Sequence, residues 1–162
     1  MSEIAELLER FRRGAELVAV VSTGAAGSML DFQPEPGKWS IRQIVCHLLD
    51  SELVGAFRMR AVIAEDNPRM GAYDQEAWAA NLDYHHRKFS QALESFRRIR
   101  AENYELLKGL PESAFARQGV HEERGPLTLL DLVRIYAEHA ENHAQQISAT
   151  RDACKAARTA AG

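Results

Sequence analysis

An all-α four-helix bundle, in a single domain spanning residues 1–162, is predicted by three observations. The five prolines cluster at three breaks: Pro34 with Pro36, Pro68, and Pro111 with Pro126. Proline lacks a backbone N–H and clashes with the preceding turn, so it disrupts helix interiors. The breaks leave four segments, each long enough for a helix of about 20 residues, roughly 30 Å at 1.5 Å per residue. Every segment carries apolar residues at helical spacing, and none shows sustained β-branched alternation, so strands are not expected.

The first helix is predicted over Ser2 to Ser22, where Ile4, Leu7, Leu8, Phe11, Ala15 and Val18 recur on one face. The second starts at Ser40, whose hydroxyl can cap the N–H three residues on while Gln43 reaches back. Its stripe is Ile41, Ile44, Val45, Leu48 and Leu49, ending near Ala64. Asp74 is placed to cap a short helix through Trp78. The third long helix covers Tyr84 to Lys108, with Gly109 as its terminator. The fourth opens at Thr128, with Asp131 at the capping-box spacing, and runs past Ile147 towards Ala157. The Ala-rich tail from about 155 is expected to fray. Four amphipathic helices in a chain of this size imply a bundle. Each connection is about 15 residues or longer, enough to cross the bundle in extended form, so loop length leaves the path open.

Composition narrows the function. The chain has 162 residues, 46% hydrophobic and 27% charged, with a net charge of −3. Twenty basic and 23 acidic residues are spread along it, which gives no electrostatic case for nucleic acid or for anionic membrane. The patch at Arg97, Arg98 and Arg100 is flanked by Glu94 and Glu102 and reads as a solvated helix face. Cys46 and Cys154 make no disulfide framework, and a buried thiol suits a reducing compartment. The acidic, amphipathic start is unlike a secretory signal, and no stretch approaches the roughly 18 apolar residues of a membrane span. A cytoplasmic protein acting on a small molecule is expected. Val20 and Val21 extend the apolar surface of the first helix beyond one stripe, which suggests a homodimer.

The chemistry concentrates in Tyr136-Ala-Glu-His139-Ala-Glu-Asn-His143-Ala-Gln-Gln-Ile147. Residues four apart lie one turn above each other, so His139 and His143 can aim at one ion. They share a stripe with Leu132, Tyr136, Ala140 and Ile147, where imidazoles are costly unless satisfied. His47, in the second turn of the second helix, is the candidate third ligand. Three neutral imidazoles suit a divalent transition ion, with zinc or nickel first among cobalt and ferrous iron as well, better than calcium or magnesium. Three protein ligands leave a coordination position open, as in catalytic zinc sites.

Other residues are weaker candidates. Asp50, one turn beyond His47, is the first choice for orienting a ligand or moving a proton. Glu138 and Glu141 flank the histidine pair at an angle that favours solvent. His85 and His86 are adjacent and read as surface or boundary residues. His121 either lines the pocket mouth or stabilises its turn. Cys46 points away from His47. The residue after His139 is Ala140, so this is not the His-Glu-x-x-His motif.

The stretches Pro36-Gly-Lys-Trp-Ser-Ile-Arg-Gln-Ile-Val-Cys-His-Leu-Leu-Asp-Ser-Glu52, Tyr73-Asp-Gln-Glu-Ala-Trp78 and Gly125-Pro-Leu-Thr-Leu129 lead to the Tyr136–Ile147 segment. Together they resemble the DinB superfamily and, within it, the YfiT-like proteins, over roughly residues 3 to 150. The resemblance implies a four-helix bundle with a crossover between its second and third helices. It also implies a three-histidine metal site, which falls on His47, His139 and His143. Many relatives carry another histidine where this chain has Asn142. The family includes S-transferases using low-molecular-weight thiols such as bacillithiol, mycothiol-dependent isomerases, and proteins described as metal-dependent hydrolases. The expectation is therefore a metal-dependent enzyme that activates a thiol or water, with a low-molecular-weight thiol as a candidate co-substrate. The alternative is a non-catalytic metal-binding stress-response protein.

Overall fold

A computed structural model describes residues 2–162. Helix α1 spans Glu3–Ser22, with Ser2 as N-cap accepting from the Ala5 N–H. Helix α2 spans Ile41–Ala64 and opens with the reciprocal Ser40–Gln43 capping box predicted from spacing. Asp74 caps the short helix α3, Gln75–Asn81, which runs past Trp78. Helix α4 spans Phe89–Lys108, and α5 spans Leu129–Ala160 behind the Thr128–Asp131 capping box. Single turns of 3₁₀ helix lie at Gly27–Asp31 and Glu112–Ala116. No helix is long and apolar enough to cross a membrane among the described residues.

Two boundaries differ from expectation. Helix α4 begins five residues after Tyr84, because Asp83 adopts a left-handed φ of 52° and the following turn is tied to α2. The Tyr84 hydroxyl and Arg87 both donate to the Asp50 carboxylate, at 2.7 and 2.8 Å. Helix α5 continues to Ala160, through the segment expected to fray. Gly109 does close α4, but with φ −82° it needs no left-handed backbone; Pro111 follows two residues later.

The absence of strands is overturned. Three short strands, β1 (Arg69–Met70), β2 (Gln118–His121) and β3 (Gly125–Thr128), form a small sheet in that order. Strand β1 pairs parallel with β2, Met70 opposite His121, and β2 pairs antiparallel with β3, His121 opposite Gly125. Strands this brief are set by tertiary pairing rather than by alternation. Pro126 is tolerated because β3 is an edge strand.

Two apolar clusters fix the helix directions. Leu7, Met59, Leu107 and Leu132 gather at one end of the bundle, and Val18, Ile44, Phe96 and Ile147 at the other. Helices α1 and α5 therefore run one way, and α2 and α4 the other. Helix α1 packs on α4 and α5, and α2 packs on the same two. Since α2 and α4 are parallel, residues 65–88 must carry the chain back along the whole bundle. This is the crossover the resemblance implied, and it contains β1 and α3.

A polar knot crosses the bundle between the clusters. Arg100 and Glu52, each about 1% exposed, form a two-pronged ion pair at 2.9 and 2.8 Å. Arg100 also donates to the carbonyls of Phe11 and Tyr136, at 2.7 and 3.0 Å, and stacks 4.1 Å from the Phe11 ring centre. Asn103 donates to Glu52 at 3.0 Å. One side chain thus touches all four long helices. Gly14 makes room for it, since a Cβ there would lie 2.8 Å from both Arg100 and Ala140. The reading of Arg100 as part of a solvated face is corrected: only Arg97 and Arg98 are exposed. Arg100 lies on the core stripe Ala92–Phe96–Arg100–Asn103–Leu107.

Candidate metal centre

Helices α2 and α5 are antiparallel neighbours, so the second turn of α2 faces the middle of α5. His47, 1% exposed, there meets His139 and His143, which stack one turn apart. The His139 Nε2 lies 2.9 Å from His47 Nε2 and 3.1 Å from His143 Nε2. The three offer ring nitrogens within 4.8 Å of one another.

The cluster has too few protons to satisfy its own nitrogens. The side-chain Oε1 of Gln146 lies 2.7 Å from His143 Nδ1, so that nitrogen carries the proton and Nε2 presents a lone pair. An imidazole nitrogen either donates or accepts, never both. His139 Nε2 therefore has one proton at most to offer two neighbouring nitrogens. A cation accepting three lone pairs satisfies the set. His47 Nδ1 is buried without a partner, against the Trp39 ring 4.9 Å from its own. The donor set fits a borderline transition ion and offers no oxygen for a hard one.

Burial keeps these imidazoles neutral. Desolvation first, then neighbouring histidine charge, pushes His47 down to about 3 and His139 to about 2. Desolvation lowers His143 too, against the Gln146 bond. In the metal-free protein this has a definite sign. The unfolded chain protonates its histidines below about 6.5, while the folded chain resists to far lower pH. The unfolded state thus binds more protons in that window. Stability is complete above about 6.5 and is lost as pH falls toward 3. The urea midpoint of metal-free protein should drop between about pH 7 and about pH 4; a flat profile would mean the imidazoles are not held neutral.

The other candidates are placed elsewhere. Asp50 is 5% exposed, but its carboxylate accepts from Tyr84 and Arg87, so it braces the turn before α4 and hydrogen-bonds to none of the three histidines. Glu138 is exposed, and Glu141 is taken by Arg10 at 2.8 Å. Asn142 is exposed on the far side of α5. His85 and His86 are exposed in the turn before α4, His85 beside the Gln43 amide at 3.3 Å. Burial raises the Cys46 thiol to about 11, which leaves it unreactive.

His121 fills both roles considered for it. Its Nδ1 accepts the Glu123 and Arg124 N–H groups, each at 3.2 Å, which holds the β2–β3 turn and places the neutral ring's proton on Nε2. The ring also lines a cavity of about 130 Å³ together with Ser51, Arg58, Tyr73, Tyr136 and His139. Gly55 lets Tyr136 reach this wall, since a Cβ there would lie 2.6 Å from its ring. Sequence reasoning missed Gln146, although three residues beyond His143 is a contacting position on a helix. It also missed Arg58, which the packing of α2 on α5 sets beside Tyr136, and Tyr73, which the crossover brings to the cavity that His139 lines.

A family model described as the DinB superfamily matches residues 10–147. The chain is 28% identical to “Putative metal-dependent hydrolase YfiT” of Bacillus subtilis, over 75% of this chain and 68% of that protein. A like-named protein of Oceanobacillus iheyensis is 29% identical over 74% of this chain and 69% of its own length. The solved structure of YfiT, described as a probable metal-dependent hydrolase with an unusual four-helix bundle topology, superposes with a TM-score of 0.84. It covers 93% of this chain and 87% of that one at 23% identity, a likeness of fold.

Proposed function

Because the chain belongs to the DinB superfamily, we propose that it is a metal-dependent enzyme, holding one divalent transition ion on His47, His139 and His143. The observation that carries this reading is the convergence of three neutral imidazoles whose protons cannot satisfy one another. Bound there, such an ion supplies Lewis acidity that turns water or a thiol into a nucleophile near neutral pH. Zinc and nickel suit the donors best.

The protein's own groups supply the rest. His139 both joins the cluster and lines the cavity, so a substrate there lies beside the ion. Neutral His121, with its proton fixed on Nε2, donates a hydrogen bond without changing charge. Gln146 fixes the ring of His143, as outer partners of metal-bound histidines do. Water as nucleophile makes a hydrolase, in keeping with the names of the relatives; a low-molecular-weight thiol makes an S-transferase. The cavity beside His139 favours either over a purely structural site. The two buried free cysteines accord with a cytoplasmic setting.

Cobalt reconstitution tests the reading. One ion per chain is expected, and Gln146→Ala should weaken its binding by roughly 10–100-fold. A change in the d–d bands on adding a thiol selects transfer, and a silent spectrum selects hydrolysis. Failure to bind stoichiometric cobalt would sink the metal reading.

A further inference from the structure

The cavity beside the histidines has a charge pattern that the metal reading leaves unexplained. Arg58 enters from α2 and Arg124 from the β2–β3 turn, and both line it with His121. Arg58 is positioned by donating to the Tyr136 hydroxyl at 3.2 Å and to the Gly71 carbonyl, and its Nε is buried without a partner. Arg42, Arg87, Arg100 and Arg117 each meet a carboxylate. Arg58 and Arg124 meet none within 4.0 Å among the described residues. Both cations help to lower His121, after burial, and Arg124 also acts on His139. The one acid on the cavity wall is Glu123, exposed to solvent; neighbouring Glu122 is exposed and accepts the Ala72 N–H at 3.0 Å. Two guanidiniums against one acid leave the wall positive before any divalent ion is added.

We propose that this cavity takes a small substrate carrying an oxyanion, a carboxylate or a phosphate monoester, gripped by Arg58 and Arg124 next to the three histidines. Guanidinium forks match both groups. Two of the five donors of Arg58 are used in positioning it, which leaves three. His121 adds a neutral Nε2–H. The cavity, about 130 Å³, is a little smaller than the roughly 150 Å³ that admits one benzene ring, so the enclosed part is the oxyanion with the few atoms next to it, and the rest of an aromatic acid extends towards solvent. The inference rests on the metal reading for the chemistry done there, and stands apart from it in how the anion is held.

The test is calorimetric titration of the zinc-loaded 162-residue chain with benzoate, phenyl phosphate and neutral benzamide, repeated on metal-stripped protein. At least one anion should bind about tenfold or more tighter than benzamide, as expected for charge-assisted hydrogen bonds, and the tighter of the two identifies the oxyanion. Arg124→Gln should remove about tenfold of that affinity. The Arg124 side chain is exposed and unpaired, so this variant keeps the fold and its zinc; Arg58→Gln should act in the same direction. Anion binding should persist, weakened, without metal. No preference for anions, indifference to both arginine variants, or binding that vanishes wholly with the metal would overturn the proposal. Arginine-dependent binding in a protein that takes up no zinc would sink the metal reading alone.

Discussion

His139→Ala should strip the protein of its metal. His139 is the central member of the cluster, 2.9 and 3.1 Å from the two other Nε2 atoms. Without it the remaining pair keeps two of three donors and loses the one that also faces the cavity. The affinity loss should exceed the roughly 10–100-fold expected when only an outer partner is changed. Elemental analysis after dialysis should find wild type with one ion per chain and the variant nearly empty, while His85→Ala and His86→Ala retain theirs. Wild-type affinity itself should fall with pH through the histidine range, because proton and ion compete for the same lone pairs. Full occupancy in His139→Ala would refute the site.

Arg100→Met should be the most destabilising single change in the core. It leaves Glu52, 1% exposed, with only Asn103 for company. Breaking one partner of a buried ion pair costs about 3–5 kcal/mol, a fall in melting temperature on the order of 10 °C for a chain of this length. The double change Arg100→Met with Glu52→Met should recover much of that loss, since no charge is then stranded. The carbonyls of Phe11 and Tyr136 lie within helices and keep their intrahelical bonds. Thermal melts of the two variants decide the matter: a double variant as unstable as the single would show that the arginine acts through packing on Phe11 and Phe96 instead.

How much could be read in advance follows from which interactions are local. Ser40 with Gln43 and Thr128 with Asp131 announce helix starts because each pair completes its bonds within one turn. His139 and His143 announce a shared face for the same reason. That His47 meets them depends on α2 and α5 being antiparallel neighbours, which spacing alone does not decide. Strand β2, Gln118–His121, is too short for alternation to betray it: it is held by a tight hairpin to β3, closed at left-handed Gly125, and by β1 about fifty positions away. Arg100 was hidden by its company: arginines and glutamates on both sides mask a polar residue standing on an apolar stripe. The grip on the cavity is assembled from three distant parts of the chain: Arg58 by the packing of α2 on α5, Tyr73 by the crossover and Arg124 by the β2–β3 turn.

The parallel pairing of α1 with α5 has a consequence for how the chain reaches its fold. Two of the side-chain pairs that join these helices, Arg10 with Glu141 and Arg134 with Glu3, span 131 residues each. Ridges of α1 that α5 will cover must wait until α5, more than a hundred residues later, has left the ribosome. Folding therefore has a high contact order for an all-helical protein, and its rate should sit well below that of an up-and-down bundle of equal length. During synthesis α1 has only α4 to lean on, and the apolar face awaiting α5 is the surface most exposed to premature association.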